Sequence, residues 1–368
     1  MMSGARQALD ILRLMPDGGP AVCNICVTNV CNATCDFCNF AADKHFVVDR
    51  AYIDADRLRD ALGILHRRGV RYLTFSGGEP LLHPRIADMV RYAVERGMRP
   101  SVVTNGWLLP RKLDDLRAAG LRTLFISIDA SDRARHEGNR GLKGVCDRIA
   151  AANAEAARHG IKTIASVTIN RLLGDVTQLP AFLASLGFAS ATFSYPKTAA
   201  LGSSSLVYSE TSTLIDYGVD QLAEAFEAVR KLKGSFAILN PSESLREMVR
   251  HLRGERETFA CFGGYKYFYM DYRFDVYRCD FLGQKVASVW DFADAPLIRD
   301  GCTRCMSDCY RDSSVLLNFP VAIGDALRAL GRGRPDRAAR ALAAPAVRRS
   351  IGALLEGSGT LKRLARLG

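Results

Sequence analysis

Residues 27–40 read VTNVCNATCDFCNF and set Cys31, Cys35 and Cys38 within eight positions. The wide first gap lets the loop swing around a bulky object, and the second is the usual clamp of a metal or cluster loop. A lone zinc ion would ask for a fourth ligand close by. Cys23 and Cys26 are near in sequence, but three positions apart on a strand-like stretch they face opposite ways, roughly 10 Å from each other. Both read as core cysteines. Three thiolates around a [4Fe-4S] cluster would leave one iron without a protein ligand, open to a small molecule.

The rest of the composition agrees with a metal-rich, reducing setting. Among 368 residues, 48% are hydrophobic and the mean hydropathy is near zero, enough for a large buried core. Arg6, Asp10, Arg13 and Asp17 interrupt the first twenty residues, which therefore form neither a signal-peptide core nor a membrane span. A cytoplasmic protein is expected. Eleven cysteines is an odd number and high for that compartment, so a disulfide framework explains them poorly and metal binding better. The net charge of +11 is unevenly spread: ten Lys or Arg against two acidic residues put +8 on residues 326–368. A nearly neutral body with a basic tail suggests anchoring more than a nucleic-acid face.

Outward from the cysteine loop, strand-like stretches at 21–28, 71–76, 100–104, 122–128, 162–169 and 189–195 alternate with amphipathic ones at 54–68, 84–96, 111–119, 145–159 and 177–186. Gly69, Gly97, Gly120, Gly160 and Gly187 stand at the helix C′ positions. Such alternation implies an α/β fold, a parallel sheet with right-handed crossovers, here a partial (β/α)6 barrel over residues 18–235. A helical segment is expected at 1–17, a small β-rich auxiliary domain at 236–312, and a helical, basic C-terminal extension at 313–368.

CNATCDFC following a first strand resembles the signature loop of the radical S-adenosylmethionine superfamily, in which an aromatic residue, here Phe37, precedes the third cysteine. The resemblance implies that Cys31, Cys35 and Cys38 hold a [4Fe-4S] cluster to which S-adenosylmethionine binds. SGGEP (76–80) closes the second strand and matches the segment that in the family receives the amino group of the methionine moiety, through Gly77, Gly78 and Glu79. On the residues alone, the two glycines would let a ligand approach the backbone. TNG, SID and SVTIN end the next three strands, which puts polar groups where barrels build active sites. By resemblance, Asn105, Ser127 and Asp129 lie near the ribose and methionine carboxylate, and Ser166 and Asn170 on the fifth strand edge the adenine. Arg140 is either a carboxylate partner or a solvated loop residue.

Cys261, Cys279, Cys302, Cys305 and Cys309 fall within 49 residues. A zinc site and plain core cysteines are the bland readings; an auxiliary iron-sulfur cluster is the sharper one. Cysteines flanking a hairpin and followed by C-x-x-C resemble the SPASM/twitch type of auxiliary-cluster domain. Five cysteines imply one auxiliary [4Fe-4S] cluster, held by Cys261, Cys279, Cys302 and Cys305, with Cys309 as a substitute. Cys146 reads as core.

The tail alternates apolar residues with arginines. It reads as helices packed on the barrel with a solvated basic face, or as a peripheral contact with anionic lipid on the inner face of the membrane. Nucleic acid is disfavoured because the tail lacks aromatic residues for stacking. The expected activity is reductive cleavage of S-adenosylmethionine to a 5′-deoxyadenosyl radical that abstracts hydrogen from a small-molecule, lipid or lipid-linked substrate. The resemblance also implies a reductant partner of the flavodoxin or ferredoxin type. Peptide modification is the alternative, weakened by the short segment ahead of the first strand, and a non-catalytic zinc protein is the reading from another class. Tyr195, Lys197 and Tyr267 are candidates to line the substrate pocket.

Overall fold

The computed structural model describes residues 18–200 and 202–366, those from 358 onward as backbone. The helical segment expected at 1–17 lies outside the described residues. The six expected strands are β1 (Val22–Thr28), β2 (Tyr72–Gly77), β3 (Arg99–Thr104), β4 (Thr123–Ile128), β5 (Lys162–Thr168) and β6 (Ser190–Ser194). Between them run α1 (Ala55–Arg67), α2 (Ile86–Glu95), α3 (Leu109–Ala118), α4 (Arg133–Arg140), α5 (Val145–Arg158) and α6 (Leu179–Ser185). The glycines expected to end helices all have positive φ, from 65° at Gly160 to 112° at Gly69.

All six strands pair in parallel and in chain order, and Ala237–Ile238 (β7) adds to β6. One face is apolar. Phe75, Val102, Leu124, Ile126, Ala165, Val167 and Phe193 bury against Leu58, Leu62, Met89, Leu116 and Ile149 of the helices. Each such side chain contributes roughly 1.5–3 kcal/mol for leaving water. The opposite face carries hydroxyls and an amide: Asn24, Thr74, Ser76, Ser101, Ser127, Ser166, Thr168, Thr192 and Ser194. A parallel strand covered by helices on both sides would be apolar throughout. This alternation instead gives the sheet a polar inner side, the lining of a partial barrel.

After the helices α7 (Val219–Leu232) and α8 (Ser242–Leu252), the chain returns to the other edge. The β-rich region expected after residue 236 is fused to the barrel rather than set apart from it. β8 (Tyr267–Met270) pairs in parallel with β1, Val22 opposite Tyr267 and Asn24 opposite Tyr269. The antiparallel β9 (Asp275–Tyr277) and β10 (Lys285–Ser288) complete a ten-stranded sheet. All four residues of β8 are buried, as an internal strand requires.

The C-terminal extension forms α9 (Asp308–Gly331), α10 (Pro335–Ala343) and α11 (Pro345–Arg366). Among the described residues α9 alone is long and apolar enough to cross a membrane, yet 39% of its apolar window is buried inside the protein. Phe259, Val315 and Ala353 share a small core between the extension and the body. Glu356 accepts from Ser242 N–H (3.0 Å) and Ser242 Oγ (2.6 Å) and pairs with Lys233 (2.8 Å). Arg349 reaches Glu243 and Thr258, at 2.8 Å each. The packed arrangement is the one realised, and nothing in it adds to the expectation of membrane contact. Replacing Glu356 with Ala should release α11 from α8 at a cost of about 1–2 kcal/mol. Limited proteolysis should then cut residues 332–345 faster while the barrel stays resistant.

Candidate functional site

The site is built where β1 and β2 end. Gly78 N–H donates to the Thr28 carbonyl (2.9 Å) and Glu79 N–H to the Val30 carbonyl (2.8 Å), so the SGGEP segment extends the sheet ladder past both strands. A Cβ on Gly77 would stand 2.2 Å from the Thr28 carbonyl oxygen, and one on Gly78 2.2 Å from that of Val30. The two glycines therefore answer first to close approach of the chain to itself, not to the approach of a ligand. Thr28 Oγ1 donates to the Ala51 carbonyl (2.7 Å), and the Asn29 side chain bridges Asp49 and Ala51, fastening the far end of the cysteine loop.

Glu79 is buried and its carboxylate is fully engaged. Oε1 accepts from Leu81 N–H (3.0 Å) and Thr104 Oγ1 (2.7 Å), and Oε2 from Asn105 N–H (2.7 Å). Burial pushes its pKa up, and these donors pull it back. Asn105 Nδ2 donates to Asn32 Oδ1 (2.8 Å), inside the cysteine loop. Asp129, also buried, accepts from Arg140 Nη2 (2.5 Å) and Asn139 Nδ2 (2.8 Å). Its N–H donates to His136 Nδ1, and its carbonyl accepts from Asn170 Nδ2 (2.9 Å). Ser127 and Ser166 are register partners on the polar inner face. Phe37 is buried within the loop. Glu79, Asn105, Asp129 and Asn170 thus stitch the strand ends together, while Ser127 and Ser166 face the cavity.

Arg140 is not a solvated loop residue. It is the last residue of α4 and is buried against Asp129. No apolar period announces α4 in the sequence RARHEGNR. Only Asp132, which caps Arg135 N–H, and Gly141 at φ 62° mark its ends. His136, at its centre, is neutral: burial pushes its pKa down to about 4.

Cys35 is buried, and Cys31 and Cys38 are half-buried. Burial pushes each thiol up to about 12, and neighbouring cysteines of the loop add to the rise. Such thiols ionise only when a bound cation supplies the charge. Among the described residues, no three of His, Cys, Asp or Glu converge on a single metal ion. Tetrahedral zinc would need sulfurs within about 4 Å of each other, given Zn–S bonds of about 2.3 Å. Three neighbouring thiols with an arginine beside them suit a multi-iron cluster better. Cys23 packs in the helix-side core and Cys26 against Phe40 and Tyr269, on opposite faces as expected. Cys146 is buried in the main core.

In the second group, Cys261, Cys279, Cys302 and Cys305 are electrostatic neighbours, and Cys261 N–H donates to the Cys302 carbonyl (2.9 Å). Cys309 is exposed on the first turn of α9, near Asp308, Asp280 and Lys197. Lys197 pairs with Asp280 at 2.8 Å, both nearly buried. Of the aromatic pocket candidates, Tyr195 stacks on Phe226 and Tyr267 packs on Tyr310. The connection from β6 to α7, described over residues 195–200 and 202–218, runs beside the cysteine loop at the mouth. The Leu206 carbonyl accepts from Asn39 N–H (2.9 Å) beside Cys38, and Ser203 Oγ donates to the Asp280 carbonyl (2.5 Å). This strap lacks any periodic signal in the sequence.

Residues 25–177 match the description of the Radical SAM superfamily. An AdoMet-dependent heme synthase of Methanosarcina barkeri is 33% identical over 123 residues, 33% of this chain and 35% of that protein. A GTP 3′,8-cyclase of Chlorobaculum tepidum is 37% identical over 113 residues, 30% of this chain and 33% of that protein. The chain thus spans about a third of the length of these curated relatives. Streptococcus suis SuiB bound to S-adenosylmethionine superposes with a TM-score of 0.56 at 17% identity, covering 84% of this chain and 75% of that one. For anSMEcpe with bound AdoMet the TM-score is 0.54 at 16% identity, covering 75% and 79%. These two share the fold.

Replacing Gly78 with Ala should cost about 1–3 kcal/mol or more, because the intruding methyl meets backbone that cannot yield. Urea denaturation of the metal-free chain measures it, and an unchanged midpoint would contradict the contact.

Proposed function

We propose that this chain, whose residues 25–177 belong to the radical SAM superfamily, is an enzyme that cleaves S-adenosylmethionine reductively and takes hydrogen from a compact small-molecule substrate. The observation that carries the reading is the loop of three cysteines that leaves the end of β1 and is seated against the SGGEP segment. A [4Fe-4S] cluster, for which Cys31, Cys35 and Cys38 are the proposed ligands, would supply the single electron that reductive cleavage of a bound sulfonium needs.

The chain's own residues orient and exclude. Glu79 and Asp129 tie β2 to β3 and β4 to β5 through α4 and Asn170, which holds the strand ends at fixed spacing. Ser127 and Ser166 offer hydroxyls to a ligand on the inner face. Gly77, Gly78, Asn105 and Phe37 complete the proposed S-adenosylmethionine cradle by holding the cysteine loop against the SGGEP segment. The strap across the mouth keeps water from the radical. A covered mouth and a hydroxyl-lined interior suit a compact polar substrate more than an extended chain, and labelled peptide is the control arm. Cys261, Cys279, Cys302 and Cys305 hold the auxiliary cluster in this reading. A reductant protein and a cytoplasmic setting belong to it as well, and a lipid-like substrate rests on the basic tail alone.

Anaerobic reconstitution should load about eight iron atoms per chain, four per cluster. With a one-electron reductant and S-adenosylmethionine it should then yield 5′-deoxyadenosine. Cys35→Ala should lose about half the iron and all of the product. One or two zinc atoms, with no 5′-deoxyadenosine formed, would reject the reading in favour of a zinc protein.

A further inference from the structure

The end of α4 grips the cysteine loop on both sides of Cys35. The Arg140 carbonyl accepts from Thr34 N–H (3.0 Å), and Asn139 Oδ1 accepts from Asp36 N–H (3.1 Å). Gly141, at φ 62°, brings its backbone so near that a Cβ there would stand 2.3 Å from Thr34 Oγ1. The middle cysteine is therefore held by the residue before it and the residue after it, each bonded to the last turn of one short helix. From that turn the Arg140 side chain reaches inward to Asp129. Its Nε is buried and makes no hydrogen bond among the described residues.

The charges around the loop are few. The field of Arg140 reaches Cys31, Cys35 and Cys38 alike. Lys44 adds to it at Cys38 and Asp129 opposes it at Cys35, while at Cys31 the Glu79 carboxylate is the stronger neighbour. Asp129 engages the guanidinium at Nη2 and leaves Nε buried without a hydrogen-bond partner among the described residues, so the ion pair does not use up the arginine. His136 is neutral and contributes an acceptor to Asp129 N–H, not a charge.

We infer that Arg140 is a potential-setting residue: its buried guanidinium, held against the cysteine loop by α4, favours the reduced form of the cluster on Cys31, Cys35 and Cys38, and Asp129 tempers it. This rests on the proposed function. Reduction moves one electron from the donor to the cluster, oxidises the donor and transfers no proton, so the cluster gains one negative charge. A fixed cation in a poorly solvated site stabilises the more negative form. The methylene stem of the arginine cannot do this, nor can the backbone bonds that α4 makes to the loop. Charge and clamp are therefore separable by substitution.

The test is an EPR-monitored redox titration of the reconstituted full chain without S-adenosylmethionine. Iron and acid-labile sulfide analysis of the wild-type chain comes first, and a chain that loads no four-iron cluster rejects the proposed function itself. Given a loaded chain, Arg140→Met should lower the one-electron reduction constant of this cluster at least tenfold, which is about 59 mV toward more negative potential. Arg140→Lys, which keeps the charge, should hold the wild-type potential. Asp129→Asn should move it the opposite way. If Arg140→Met does not retain its cluster, the sign of the Asp129→Asn shift and the constancy of Arg140→Lys still decide. Unchanged potentials in the Met and Asn variants at full iron content would overturn the inference. Equal shifts in the Met and Lys variants would also overturn it, showing that the arginine acts through its shape.

Discussion

Everything at the mouth of this barrel depends on one backbone contact, the seating of Gly77-Gly78-Glu79 on the carbonyls of Thr28 and Val30. It lengthens the β1–β2 ladder by two hydrogen bonds and so determines where the chain can leave the sheet. The cysteine loop departs from Val30, and its return is pinned by Thr28 and Asn29 to residues 49–51. No side chain larger than hydrogen fits at either glycine. Placement of the three thiols is therefore decided by packing of main chain on main chain, which is stiffer than any contact between side chains.

Two buried carboxylates continue the same work along the rim. Removing a carboxylate from water costs several kcal/mol unless its lone pairs are filled. Glu79 fills its own with two N–H groups and one hydroxyl, and Asp129 fills its own with an amide and a guanidinium. Glu79 thereby joins the ends of β2 and β3, and the Asp129 carboxylate joins the end of β4 to α4. The same oxygens that make the strand ends polar in sequence are mostly spent in holding them. Candidate ligand contacts concentrate instead on hydroxyls further down the inner face.

What could be read beforehand follows from range. Strands and helices with a period of two or 3.6 show themselves in windows of a dozen residues, and the cysteine spacing is shorter still. α4 did not show itself because RARHEGNR buries only His136 and Arg140 and has no apolar stripe; its stability comes from the Asp132 cap, Gly141 and the bonds of Glu137 to Gly144 and Cys146 N–H. Tyr267–Met270 is legible as a strand, but its place beside β1 is a pairing across some 240 residues that no local pattern encodes. The same holds for Arg140, whose burial depends on Asp129, and for the strap, which contains no repeat. Cys309 stands in the same cysteine-dense stretch, and its exposure follows from the start of α9 at Asp308, which the spacing alone does not give.

The placement of β8 brings the second group of cysteines, far away in the chain, to the same edge of the sheet as the strand that leads into the first. Pairing Tyr267 and Tyr269 with Val22 and Asn24 extends the inner face of the barrel by one strand, and the turn after β9 then carries Cys279 and Asp280 to the edge of the mouth. From the opposite edge, β6 sends out Lys197 and the strap, and the Lys197–Asp280 pair closes the circuit. Gly202 and Gly283 meet there so closely that a Cβ on Gly283 would lie 2.4 Å from the Gly202 carbonyl oxygen. The open sheet is thus closed at its rim by an ion pair, a glycine contact, the Ser203 hydrogen bond to Asp280 and a single antiparallel bridge between Gly202 and Leu282, not by a full strand ladder. Such a closure can part and re-form at less cost than a full hydrogen-bonded ladder, which is what the proposed function asks of the mouth.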